Sequence, residues 1–191
     1  MKVLSFDLGT RNMAFALVEA PHTILKMGCI DLGSNSARNS SDVLLDTLQD
    51  PNANGWMADC CDEIVVELQP TNGPCKTLSF VLMTYFRMWD ELHHRPVRPF
   101  RFMAAGFKLK YKPELLEQLN PESYNDRKDL AVKMAYEVLN QNRADFIEFF
   151  RGQNPKRKTD LADAVIQACQ HIKSPDASSK RARKLRGKKT I

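Results

Sequence analysis

A chain of 191 residues is long enough for one domain with a sizeable core and too short for two large ones. Its hydrophobic content of 43% and its ten Phe predict a folded body, and no apolar run approaches the roughly 18 residues of a membrane span. The net charge of +5 is unevenly spread, with 8 Lys or Arg against 12 Asp or Glu in residues 1–100 and 20 against 11 in residues 101–191.

Five cysteines (Cys29, Cys60, Cys61, Cys75 and Cys169) form an odd set without recurring spacing, which fits a reducing compartment better than a disulfide scaffold. The vicinal pairs Cys60–Cys61 and His93–His94 have poor spacing for a zinc site. The start "MK" passes straight into a strand-like segment without a charged leader or a cleavage site, so an intracellular protein is expected.

The elements begin with "VLSFDLGTRN", in which Val3, Leu4, Phe6 and Leu8 read as a buried strand ended by the turn-like "GTRN". "MAFALVEA" and "TILKMGCIDL" follow as second and third strands, making an antiparallel meander. "SSDVLLDTLQD" predicts a helix, and the β-branched "EIVVELQP" predicts a strand ended by Pro70. Apolar residues from Lys76 to about His93 recur at helical intervals. "PVRPFRFMAA" reads as a strand weakened by prolines, and "GFKLKYKP" as a basic loop. Helices are predicted over Asp126–Leu139 and Thr159–Ile172, the latter with Thr159 as N-cap. From Lys173 onward the chain carries eight basic residues and one acidic one, so residues 174–191 are expected to form a basic tail that favours a polyanion after a folded domain of residues 1–173. The order β-β-β-α-β-α-β-α-α implies a mixed α/β sheet with flanking helices.

Two carboxylates are placed awkwardly. Asp7 and Glu67 each stand near the tip of an otherwise apolar strand, where an ionised group is costly unless something positive or hydrogen-bonding meets it. Asp160 and Asp163, three residues apart, project from one helix face, expected in its first turn. Each alone has an ordinary explanation: a turn-forming Asp at a strand end, or acidic residues complementing a helix dipole. Brought together, the four would repel strongly and call for divalent cations, and an all-oxygen donor set selects Mg²⁺ or Mn²⁺. Two such ions activate a water and stabilise the leaving oxygen of a phosphodiester. Lys108, Lys110, Lys128, Lys156 and Arg157 are the candidates for holding a nucleic-acid backbone.

Four motifs in order, "FDLGTRNMAFALVE", "IVVELQP", "SYNDRKDLAV" and "DLADAVIQA", resemble those of the RuvC-type Holliday junction resolvases of the RNase H-like fold, in particular the branch of poxviruses and other large cytoplasmic DNA viruses. The resemblance runs from Phe6 to about Ala168. It implies a five-stranded mixed sheet with its first three strands antiparallel, flanked by helices. Asp7, Glu67, Asp160 and Asp163 would be the metal ligands, with two Mg²⁺ ions per site and Mn²⁺ as a substitute. Lys128 would face the scissile phosphate with Arg127 beside it, and Lys108 and Lys110 match a basic stretch before that helix. The implied partners are four-way DNA junctions and a second copy of the chain. The helix from Lys76 is the expected dimer element, favoured if Phe80, Tyr85 or Trp89 is exposed. The implied setting is viral concatemer resolution or recombination in the host cytoplasm. Two rivals use the same residues: an RNase H-type nuclease acting on RNA–DNA hybrids, and a phosphate-loop nucleotide-binding protein built on "DLGT". The second needs two such cores and leaves Glu67, Asp160 and Asp163 without a role.

Overall fold

A computed structural model of the protein describes residues 1–33, 37–50, 52, 55–68, 73–119, 121 and 123–174. The expected basic tail, apart from Ser174, and the strand-ending Pro70 lie outside the described residues. Strands β1 (Lys2–Leu8), β2 (Asn12–Glu19) and β3 (Thr23–Asp31) form the antiparallel meander, and β4 (Glu63–Glu67) and β5 (Phe100–Met103) complete one five-stranded sheet. Its order is β3-β2-β1-β4-β5, with β4 parallel to both β1 and β5. Helices are α1 (Ala37–Gln49), α2 (Pro74–Leu92), α3 (Pro113–Leu119), α4 (Tyr124–Leu139), α5 (Ala144–Arg151) and α6 (Pro155–Lys173).

The period-2 alternation of β1 divides the core in two. Leu4, Phe6 and Leu8 join Ile64 and Val66 of β4 against α1 and α2. Val3 and Val65 face the other way, into a cluster with α4 and α6. The odd-numbered face of β1 therefore carries Ser5 and Asp7 toward α6, and that of β4 carries Glu63 and Glu67 to the same side. Helix α6 is buried on every side from Leu161 to His171, which explains its run of Ala162, Ala164 and Ala168: small residues allow a helix to lie close to a sheet.

The β1–β2 turn is tight. The Gly9 N–H donates to the Asn12 carbonyl at 3.0 Å, and a Cβ at Gly9 would lie only 2.6 Å from that oxygen.

Three expectations shift. The basic "GFKLKYKP" stretch is largely a 3-10 turn, Ala105–Tyr111, anchored by buried Leu109 and Tyr111. Helices α3 and α5 were not foreseen; both are short, and they rest on the core through Leu115 and Leu116 of α3 and Phe146, Ile147 and Phe150 of α5. Helix α6 begins earlier than expected: Asn154 is its N-cap, accepting from the Arg157 N–H at 3.0 Å, and Pro155 fills the first helical position. Thr159 lies inside the helix, its hydroxyl donating to the Lys156 carbonyl at 2.7 Å.

Candidate active site

Parallel strands end at the same sheet edge, and this puts Asp7 and Glu67 together. The β1–β4 register pairs Phe6 with Val66, so Asp7 and Glu67 follow one step later on the same face. Helix α6 crosses above them. Its Gln167 carboxamide donates to the Ser5 hydroxyl at 3.1 Å and to the Phe6 carbonyl at 3.3 Å. One turn earlier on the same helix comes Asp163, and one turn before that Asp160. All four carboxylates line one cleft of about 710 Å³.

The helix dipole does not explain the α6 pair. With Pro155 at the first position, Asp160 and Asp163 fall in the second and third turns, beyond the reach of a dipole effect confined to the first. They are also desolvated: burial pushes the carboxyls of Asp160 and Asp163 up from their ordinary range, the cations of Lys128 and Lys108 opposing it. Asp7 is held well above the usual carboxylate value, first by burial and then by the negative charge of Asp163, with Glu67 and Asp160 adding to it against Lys108. An unfavourable cluster of like charges has been assembled from β1, β4 and α6.

Lys108 sits inside this cluster. Its ammonium is 2.7 Å from Glu67 Oε2 and 2.7 Å from Asp163 Oδ2, and its side chain is only 12% exposed. Burial alone would push the ammonium down; the carboxylates of Asp163, Glu67 and Asp7 hold it up and charged.

The donor chemistry suits a hard divalent cation: four carboxylates outnumber the one thiol of the lining, Cys75, and no imidazole stands among them. With Lys108 standing between Glu67 and Asp163, however, no three His, Cys, Asp or Glu side chains among the described residues converge into a group that could hold a metal ion.

Around the cleft stand Arg127, Lys128 and Lys156 from the starts of α4 and α6, all expected from the sequence. Helix α4 begins with a capping box: the Ser123 hydroxyl accepts from the Asp126 N–H at 3.1 Å, and the Asp126 carboxylate accepts from the Ser123 N–H at 2.8 Å. This fixes where Lys128 leaves the helix, one turn later. Burial draws the Lys128 ammonium down, but Tyr124 and the charges of Asp160 and Asp163 raise it overall. Lys110 and Arg157 do not line the cleft. Lys110 is exposed beyond the buried Leu109, and Arg157 reaches 4.0 Å from Asp31 of β3.

Sequence reasoning did not single out several residues of the lining, among them Arg11 in the β1–β2 turn, Cys75 in the first turn of α2, and Tyr124. Tyr124 is 66% exposed at the rim, its ring 5.1 Å from the Lys128 ammonium. Its position in "SYNDRK", between a capping Ser and a basic pair, was the available signal; an aromatic beside cations suits nucleic acid. Of the three aromatic residues that would mark α2 as a contact face, Phe80 is exposed. Tyr85 is buried, its hydroxyl donating to the Leu48 carbonyl at 3.0 Å, and Trp89 is half-buried, its indole donating to Asp59 at 3.0 Å.

No family model matches the chain, and no curated protein matches it by sequence. Solved structures do match. The fowlpox virus resolvase in complex with its substrate Holliday junction DNA superposes with a TM-score of 0.59 at 14% identity, covering 92% of this chain and 99% of that one. The fowlpox virus Holliday junction resolvase gives 0.60 at 13% identity over 91% and 99%. T. thermophilus RuvC in complex with a Holliday junction substrate gives 0.50 at 13% identity over 95% and 96%. The mixed sheet, the meander that opens it and the helix carrying Asp160 and Asp163 across it are thus the fold of the RuvC-type Holliday junction resolvases.

Proposed function

We propose that the protein is a structure-selective endodeoxyribonuclease that resolves four-way DNA junctions by paired symmetric nicks. The observation that carries this reading is the gathering of Asp7, Glu67, Asp160 and Asp163 from three elements into one cleft with a basic rim. Four gathered carboxylates have no value for a protein that only binds DNA, because they repel phosphate. They do have one for hydrolysis with divalent ions. The fold supports the choice of substrate, since two structures that share it are complexes with Holliday junction DNA.

In this reading Asp7, Glu67, Asp160 and Asp163 hold two Mg²⁺ ions, with Mn²⁺ able to substitute. Such ions supply, when bound, an activated water and stabilisation of the leaving oxygen. The chain's own residues do the rest. Asp7 and Glu67 stand on β-strands whose backbone is locked in the sheet, so the ligand positions are pre-organised. Lys128, directed by the capped start of α4, holds the scissile phosphate, and Arg127 and Lys156 track the backbone on either side. Hydrolysis leaves 5′-phosphate and 3′-hydroxyl ends.

A four-way junction has two-fold symmetry, so paired nicks need two sites related by the same symmetry. The exposed apolar residues Phe80, Met88 and Leu92, spaced along α2, support a homodimer through that helix. Lys110, Arg157 and the basic residues after Ser174 extend DNA contact beyond the cleft. Branched intermediates of a viral genome, in concatemer resolution or recombination, are the setting this reading assigns.

The test is cleavage of labelled four-way junction, linear duplex and RNA–DNA hybrid, with Mg²⁺ or EDTA, by wild type and Asp7→Asn. Paired nicks on the junction alone, lost in the variant and in EDTA, are expected. Cleavage of the hybrid instead would move the activity to RNA removal, and nucleotide binding without any cleavage would return attention to the "DLGT" turn.

A further inference from the structure

We propose that Lys108 is a resident counter-cation: its ammonium takes the place of a divalent ion between Glu67 and Asp163, and must leave before an ion can enter. This rests on the reading of the four carboxylates as metal ligands. Lys108 is on neither a strand nor an α-helix but on the short 3-10 segment that follows β5. It reaches into the cluster by its side chain alone, bridging one carboxylate of β4 and one of α6 at 2.7 Å each. No group of three ligand side chains among the described residues is arranged to hold a metal while it does so. The donors are suited to a cation, and the cation they hold is the chain's own.

The turn is built to let the ammonium go. Leu109 and Tyr111 bury the downstream part of it, while Ala105 and Gly106 upstream are exposed, and a Cβ at Gly106 would meet nothing within 4 Å. A lysine is a compact charge on a flexible four-carbon stem, so the ammonium can swing without moving its anchored backbone. The same cleft is open to the basic rim, so the displaced ammonium remains within it and is available to an incoming phosphate. The protein thereby keeps four crowded, partly buried carboxylates tolerable before metal and DNA arrive, at the cost of weaker ion binding.

Two measurements on the DNA-free protein test this. Calorimetric titration with Mg²⁺ should show Lys108→Met binding the ion roughly tenfold or more tightly than wild type, because a competing unit charge has been removed from a partly buried site. In wild type, acylation of the Lys108 amine, followed by peptide mass mapping, should be several-fold faster in saturating Mg²⁺ than in EDTA. Lys112, paired with Glu137, serves as the internal control and should not change. If wild type binds Mg²⁺ but either expectation fails, Lys108 does not compete by occupancy, and the nuclease reading stands without it. If neither protein binds Mg²⁺, both readings fall. Should Lys108→Met not fold, the labelling of wild type decides alone.

Discussion

The Gln167 carboxamide of α6 donates to the Ser5 hydroxyl of β1 at 3.1 Å, joining residues 162 apart in the chain. Both groups are buried, and the same carboxamide also reaches the Phe6 carbonyl at 3.3 Å. This pair sets the register of the helix on the strand. One turn from Gln167 lies Asp163, and two residues from Ser5 lies Asp7. Because apolar contacts are non-directional, the flanking alanines alone would let α6 slide; the hydrogen bonds do not.

Gln167→Leu should therefore cost about 1–3 kcal/mol, the penalty for leaving the Ser5 hydroxyl without this partner in a buried site. Urea unfolding measures that loss. Cleavage by the folded variant should fall as well, since Asp163 no longer has a fixed position over Asp7. Unchanged turnover would mean that packing suffices to hold the register.

Asp7→Asn should separate stability from activity. Burial and the surrounding carboxylates hold the Asp7 carboxyl well above its ordinary value, so ionising it at neutral pH costs the folded state. Removing that charge should raise the thermal midpoint in EDTA by a few degrees, leave junction binding intact and abolish cleavage. Glu67→Gln should also bind without cutting. Retained cleavage in both variants would remove the two-ion assignment.

The buried pair Asp90–Arg98 offers a pH test away from the cleft. Arg98 donates its backbone N–H to Asp90 Oδ2 at 3.0 Å and its guanidinium to both carboxylate oxygens, tying the end of α2 to the segment before β5. Burial opposes ionisation of Asp90, but the hydrogen bonds and charge of Arg98 prevail and its pKa is lowered. A lowered carboxylate stabilises the fold above its unfolded pKa, near 4, and loses that contribution as pH falls through its lower folded value. Asp90→Asn should thus cost about 3–5 kcal/mol at neutral pH, as for a broken buried pair. The difference from wild type should shrink only below about pH 4. A difference that shrinks already near pH 6 would assign the effect to another group.

DNA affinity should fall with salt in proportion to the phosphates neutralised. Lys128→Ala should lower the slope of log affinity against log salt by about 1. Removing residues 175–191, which hold most of the basic residues of the C-terminal run, should lower it further. An unchanged slope on truncation would give the tail a role other than DNA binding.

Helix α2 should carry the dimer. Phe80, Met88 and Leu92 are 45%, 54% and 71% exposed, large apolar side chains left on a helix whose opposite face is core. Phe80→Glu with Leu92→Glu should yield a monomer by sedimentation, with nicks no longer paired on one junction. A dimer that survives both substitutions would place the interface elsewhere.

The chain's pattern determined the strands, the four longer helices α1, α2, α4 and α6, and the four carboxylates as candidates. An ionisable residue in an otherwise continuous apolar run stands out at Asp7 and Glu67, since a strand covered on both faces buries consecutive residues. The Asp160–Asp163 pair was equally visible, though its helix started a turn earlier than Thr159 implied, because the polar turn from Pro155 carries no apolar period. What only the tertiary structure decided was adjacency. That β4 pairs parallel with β1, bringing Glu67 level with Asp7, depends on a crossover through α1 that no local signal encodes. Lys108 was equally illegible: in "GFKLKY" it differs from Lys110 by two positions, yet one ammonium is enclosed by carboxylates and the other side chain faces solvent. Charge placement of this kind follows from where a short turn crosses the sheet edge, and long-range packing sets that crossing.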